Sequence, residues 1–113
     1  MKSIIVPISN AAQTLLDVDQ ADSSDLCEET LTQDEFLALW NSGLLNEIND
    51  QCNTWIDEYE DASICAPENL NKLLTLLEAE MLKQKLPQNS GIDKLLSMAK
   101  RAKEHKTGIY FYF

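Results

Sequence analysis

One histidine, three glycines and three scattered cysteines are all that the 113 residues hold of the side chains most used for proton transfer, phosphate cradling and soft-metal binding. His105 stands between Lys103, Glu104 and Lys106 near the end of a predicted helix, with no converging partners in the sequence. It reads as a solvated helix-end side chain rather than a ligand or a general base. So few glycines argue against phosphate-binding loops, and no GxSxG, HExxH, P-loop or Rossmann pattern occurs. Cys27, Cys52 and Cys65 form an odd set without a CxxC pair. That usage fits a reducing compartment, and Cys52 falls on an apolar helical face where a thiol acts as a small hydrophobe. Long apolar runs are missing too. Ile4 to Ile8 is short, contains Pro7 and is soon followed by acids, so it reads as neither a secretory signal nor a membrane span. Carboxylates are plentiful, but none sits in an apolar setting that would tune it for acid–base work. The expectation is a cytoplasmic protein without cofactor or metal, and not an enzyme.

Bases are scarcer still over most of the chain. Residues 1–71 contain 15 acids and one base, Lys2, for a charge of -14, whereas residues 72–113 contain 4 acids and 8 bases, for +4. The net charge is -10 and the isoelectric point is near 4.3. Such a field repels nucleic acid and anionic membrane and steers cationic partners inward. Hydrophobic residues at 44% and charged residues at 25% are ordinary values, so the chain is expected to fold as a single domain over residues 1–113.

The elements follow from periodicity and caps. Ser3 to Ile8, β-branched and then broken by Pro7, predicts a short strand in an edge position. Ser9 or Asn10 caps a short helix through Leu16. Residues 17–31 read as an acidic loop, rich in Asp and Ser and poor in large apolar groups. Thr32-Gln33-Asp34-Glu35 fits a capping box. An apolar stripe with helical spacing then runs from Phe36 through Trp40, Leu44, Ile48, Cys52 and Trp55 to Tyr59, interrupted at Ser42-Gly43, where a break into two helices is expected. Pro67-Glu68 opens another helix, and Pro87, Asn89, Ser90 and Gly91 mark a turn. A last helix from Ser90 or Gly91 ends at Thr107-Gly108 and carries Lys94, Lys100, Arg101, Lys103 and Lys106. Ile109 to Phe113 predicts a closing strand. The fold expected is α+β and predominantly helical, with four to five helices on a small sheet that pairs Ser3–Ile8 with Ile109–Phe113.

The candidate partner-binding residues are two acidic clusters, Asp17, Asp19, Asp22, Asp25, Glu28 and Glu29 in the loop and Asp57, Glu58, Glu60 and Asp61, with Tyr59 beside the second as the aromatic contact. The second cluster is placed at the C-terminus of the tryptophan-bearing helix, where acids oppose the dipole and so suggest a functional reason. Trp40 and Trp55 fit the register of a core stripe better than an exposed anchor, and the aromatic tail reads as a buried strand. A calcium reading stays open: counting from Asp17 puts Asp19, Asp25 and Glu28 at the third, ninth and twelfth positions of an EF-hand loop, but Ala21 cannot ligate at the fifth and Asp22 replaces the glycine at the sixth.

With these acidic segments and the ending His105-Lys106-Thr107-Gly108-Ile109-Tyr110-Phe111-Tyr112-Phe113, the chain resembles the immunity proteins of bacterial toxin systems, including contact-dependent growth inhibition. The resemblance covers the whole chain in size and character, without a diagnostic motif. It implies a neutralising complex with one cognate toxin domain, often a basic nuclease, whose active site is covered by acids standing where substrate phosphates would lie. Direct nucleic-acid or membrane binding is not expected. The alternatives are an acidic nucleic-acid mimic or regulatory adaptor that occupies a basic protein, and the calcium-binding module.

Overall fold

A strand at the start of the chain organises the molecule. The computed structural model describes residues 2–58, 61–83 and 91–113. The strand β1, Lys2–Pro7, pairs antiparallel with β2, Leu26–Leu31, on one side and with β4, Ile109–Tyr112, on the other. The short β3, Ala62–Ile64, closes the order β2-β1-β4-β3. The expected pairing of the terminal strands is therefore present, with two further strands outside it. The predicted edge position of β1 is not found, because β1 is central. Pro7 is tolerated there for a geometric reason. The amide of Ile8 donates to the carbonyl of Asp25, so the even-numbered amides of β1 face β2 and the odd-numbered ones face β4. Pro7, which has no N–H, faces β4 beyond the last β1–β4 pair, Ile5 with Tyr110.

Strand alternation divides the sheet into two faces. Ile4, Val6, Ile64, Ile109 and Phe111 are buried on one of them. They join a contiguous core with Phe36 and Leu39 of α2 (Gln33–Asn41), Leu44, Leu45 and Ile48 of α3 (Leu44–Gln51), Leu73 and Leu77 of α4 (Pro67–Lys83), and Leu95 and Ala99 of α5 (Ile92–His105). Each fully buried Leu, Ile or Phe contributes about 1.5–3 kcal/mol relative to exposure, and this burial holds helices to sheet. The remaining helix, α1 (Asn10–Asp17), packs against β1 and reaches Tyr110, so it lies on the other face. The result is an α+β fold, predominantly helical, with five α-helices and a four-stranded antiparallel sheet among the described residues. No helix among them is long and apolar enough to cross a membrane.

Local signals account for the helix ends. Ser9 caps α1 by accepting the Ala12 amide, and Thr32 and Glu35 form the expected capping box on α2. Gly43, at φ 85°, makes the break between α2 and α3. Among the described residues the three non-glycine ones with positive φ, Asp19, Asn53 and Lys106, do one job. Each follows a helix, and in each case the next amide reaches back five residues: Gln20 to Leu15, Thr54 to Asn49, Thr107 to Ala102. These are Schellman closures with Asp, Asn and Lys in the left-handed position.

Two expectations for the middle of the chain are corrected. Residues 17–31 are not one acidic loop: Ser23–Asp25 form a single 3-10 turn and Leu26–Leu31 form β2. The tryptophan-bearing helix does not run to Tyr59 either. Asn53 terminates it, so α3 ends at Gln51 and Trp55 lies in a loop, 82% exposed. The second acidic cluster consequently opposes no helix dipole. Of the predicted turn at Pro87, Asn89, Ser90 and Gly91, Gly91 is described, at φ 79° before α5, and the other three lie outside the described residues, as do Tyr59 and Glu60.

Candidate functional site

Tyr110 and Tyr112 alternate with Ile109 and Phe111, so they project from β4 away from the core. Their rings stack at 6.3 Å between centroids, within 9° of parallel. Two side chains of α1 hold the Tyr110 hydroxyl. It donates to Asp17 Oδ1 at 3.1 Å and accepts from Gln13 Nε2 at 3.1 Å. The same Gln13 amide reaches Cys65 Sγ at 3.6 Å. Asp17 is the last residue of α1, and Asp19 is the left-handed residue that closes it, so one helix end delivers both carboxylates to the tyrosines. Asp61 arrives from the segment just before β3, four decades of sequence later. Asp17, Asp19 and Asp61 are all exposed, while the tyrosines are half-buried.

The surroundings of the two phenols disfavour their ionisation. Burial pushes Tyr112 above its ordinary value of 10, and the charges of Asp61, Asp19 and Asp17 push it further. Burial also pushes Tyr110 well up; the Gln13 contact works the other way, while Cys65 and Asp17 add to the rise. A negative field that disfavours tyrosinate favours a cation in the same place. Chemically, the face offers stacked aromatic rings edged by carboxylates, a setting that takes the ammonium of lysine or the guanidinium of arginine.

The predicted residues divide. Asp17, Asp19 and Asp61 come together here from both clusters. Glu28 is exposed on the same sheet face, since Ile5 pairs with Glu28 on one side and Tyr110 on the other, about 10 Å apart across the sheet. Glu29, opposite Ile4, is on the core-facing side instead. Asp22 and Asp25 form a reciprocal cap on the 3-10 turn: Asp22 accepts from the amide and hydroxyl of Ser24, and Asp25 accepts the Asp22 amide. The Ser24 hydroxyl, with its amide, holds the Asp22 carboxyl below its ordinary range. These two aspartates have a structural role. Glu58 accepts from Gln33 Nε2 at 3.1 Å through its side chain and from Lys2 Nζ at 3.2 Å through its carbonyl. Asp57 lines a different feature, a cleft of about 560 Å³ beside Trp40 and Trp55. Tyr59 and Glu60 lie outside the described residues. The calcium reading loses its frame, because β2 occupies the place of the second flanking helix. Among the described residues, no three of His, Cys, Asp and Glu gather where a metal ion could be held.

The helix α5 does not cancel the acidic face through ion pairs. Among the described residues the two ion pairs are Lys94–Glu35 and Lys83–Glu80, and neither uses a carboxylate of the face. Lys94 also donates to the Thr30 carbonyl at 2.7 Å, and Arg101 points at Cys27 Sγ at 3.8 Å.

Sequence reasoning missed Tyr110, Tyr112 and Trp55. The period-two alternation of Ile109-Tyr110-Phe111-Tyr112 carried the signal for the tyrosines, since a strand that buries Ile and Phe must show Tyr on its other side. For Trp55 the signal was Asn53, the residue after glycine most tolerant of the left-handed helix closure. Comparison of the chain with protein-family models, with curated proteins and with solved structures finds no match.

Proposed function

We propose that the chain is a protein-binding inhibitor of the immunity type, which neutralises a basic toxin domain, most simply a nuclease, through the face around Tyr110 and Tyr112. The observation that carries this reading is convergence. Asp17 and Asp19 belong to one acidic segment and Asp61 to another; Asp17 accepts from the Tyr110 hydroxyl at 3.1 Å, Asp19 closes the same helix end, and Asp61 immediately precedes the strand that pairs with β4. A cationic surface that meets this face exchanges its phosphate partners for carboxylates, and the tyrosines supply the rigid amphipathic contact area common at interface centres. Stacked aromatic rings edged by carboxylates suit contact with a cationic surface, so binding is the activity proposed. The place of action is the cytoplasm, where such a toxin would work.

The test takes the product of the adjacent open reading frame as the partner. Co-expression should restore growth, and calorimetry should give a saturable complex whose affinity falls with salt. The triple change D17N, D19N and D61N should weaken it about tenfold, taking roughly 0.5 kcal/mol for each exposed pair. Asn suits the left-handed position of Asp19, so the fold is kept. Absence of a complex, or a triple variant that binds and protects as well as the parent, would falsify the reading. Equal affinity for several unrelated nucleic-acid-binding proteins would point to the adaptor instead.

A further inference from the structure

Asp57 and Asp61 border two different features: Asp61 the tyrosine face, Asp57 a cleft beside Trp55. Trp55 is 82% exposed, although burial of so large an apolar side chain is favourable. It is exposed on a fixed backbone. Asn49 accepts the Ile56 amide at 2.6 Å and donates to the Ile56 carbonyl at 3.0 Å, and the Thr54 hydroxyl donates to the Ser63 carbonyl at 3.1 Å. Both neighbours of Trp55 are thus anchored and buried while the indole stands out.

The indole borders the cleft of about 560 Å³, with Trp40, Asn46, Asp50, Asn53 and Asp57 among its walls. None of the described residues lining it is basic. Asp50 is exposed in the last turn of α3, and that turn holds no base. The partial negative charge of a helix C-terminus therefore adds to that of the carboxylate on the cleft side, while Lys72 of α4 faces Cys52 and Gln51 at the same helix end. An aromatic plate, the Asp50 carboxylate, amide side chains and a helix C-terminus together favour one occupant: a planar, delocalised cation that stacks and donates several hydrogen bonds. That is a guanidinium, rather than the compact and strongly hydrated ammonium of lysine.

We infer that this cleft anchors an arginine side chain presented by the basic protein whose surface meets the tyrosine face. The inference rests on the proposed function for the identity of that protein, but not for the cleft's preference for guanidinium. Asp57 and Asp61 are four residues apart, at most about 14 Å along the chain, so both features fit under one interface of ordinary size. Tryptophan and arginine are also the side chains most often found as paired anchors at interface centres.

The indole N–H resonances of Trp40 and Trp55 provide the readout. Titration of the intact chain with acetyl-arginine amide should shift the Trp55 resonance saturably. Acetyl-lysine amide should bind at least about threefold more weakly, and acetyl-citrulline amide, planar but neutral, should give no saturation. Asp50→Asn should weaken arginine binding about threefold, and Trp55→Ala should abolish the Trp40 response. Because Trp55 is exposed, the alanine variant keeps the fold, which an unchanged melting temperature would verify. In the toxin complex, Trp55→Ala should raise Kd about tenfold. Equal responses to arginine and citrulline, no saturable shift, or saturation by a neutral trisaccharide alone would overturn the inference, the last in favour of a carbohydrate site. Failure of the arginine titration with a salt-sensitive toxin complex intact removes the cleft and leaves the proposed function. Arginine binding without any toxin complex removes the proposed function and leaves the cleft.

Discussion

Asn49→Ala is the sharpest test of how the fold presents Trp55. Asn49 lies in α3 and is half-buried, and its amide makes a two-bond ladder with the backbone of Ile56, a residue only 2% exposed. Each bond contributes about 0.5–1.5 kcal/mol net, and leaving the buried Ile56 amide without a partner costs about 1–3 kcal/mol. Deleting the side chain at Cβ should therefore destabilise the chain by about 2–4 kcal/mol. At roughly 4 °C per kcal/mol for a chain of this size, the melting temperature should fall by about 8–16 °C. Urea unfolding followed by circular dichroism would show the same loss as a lower midpoint at unchanged slope. Asn49→Asp is the informative companion. It keeps an acceptor for the Ile56 amide but sets a carboxylate oxygen against the Ile56 carbonyl. It should be clearly destabilised at neutral pH and regain part of the loss in acid, where the protonated carboxyl again has a hydrogen to donate. An Asn49→Ala variant within about 0.5 kcal/mol of the parent would refute the reasoning, because surface substitutions alone fall in that range. It would mean that the loop around Trp55 holds its shape without the ladder.

Three further outcomes follow from the same structure. Lys94 bonds Glu35 at 3.0 Å and the Thr30 carbonyl at 2.7 Å, so Lys94→Met should cost about 1–2 kcal/mol at neutral pH by chemical denaturation. Burial raises the Glu35 pKa, but the Thr32 amide and Lys94 outweigh it and leave the value below 4.5. A depressed folded pKa gives stability that is complete above the unfolded value and lost as pH falls through the folded one, so the gap between parent and variant should narrow in acid; a constant gap would count against the pair. Gly91 sits at φ +79°, and a Cβ there would lie 2.8 Å from Leu31 Cδ2 and 3.2 Å from Glu35 Cβ. Gly91→Ala should cost about 2–4 kcal/mol, roughly 1–2 for the left-handed backbone and the rest for the contact, and a melt matching the parent would refute this. Alkaline titration by tyrosinate absorbance should show Tyr110 and Tyr112 ionising above 10 in the folded chain. Their raised values mean that this contribution to stability is full below pH 10 and lost as pH rises, and D19N with D61N should draw Tyr112 down but leave Tyr110 high.

Much of the fold was legible because its signals are local. A capping box, a helix-breaking glycine and a proline-first helix each act over three or four residues, and Thr32, Gly43 and Pro67 behave as their chemistry requires. What was not legible depends on partners far away. Leu26 to Leu31 contains three polar residues, Glu28, Glu29 and Thr30, and has no apolar alternation, so nothing local marks it as a strand. It becomes one because β1 offers a row of unpaired amides and carbonyls, from Lys2 opposite Leu31 to Pro7 opposite Leu26. The helix that overran its end shows the opposite failure. Apolar spacing from Cys52 through Trp55 and Ile56 continued the helical rhythm, but three residues of rhythm weigh less than one left-handed Asn53, whose closure satisfies the carbonyl of Asn49.

The candidate site was half legible for a related reason. Charge can be counted along a sequence, but a surface is assembled by topology. Counting grouped Asp22 and Asp25 with Asp17, though they cap their own 3-10 turn, and grouped Asp57 with Asp61, though they serve different features. The sheet then made a grouping that no count contains, setting Tyr110 and Tyr112, at the far end of the chain, between the end of α1 and the start of β3. Pairing of β1 with β4 is what brings them there, and the alternation that buries Ile109 and Phe111 turns the tyrosines outward. The acidic surface is therefore a consequence of strand order. A substitution that loosens the β1–β4 pairing would scatter the carboxylates and the tyrosines together, whereas neutralising any one aspartate would leave the rest in place. Binding to this face should accordingly be lost steeply with damage to the sheet and gradually with removal of charge.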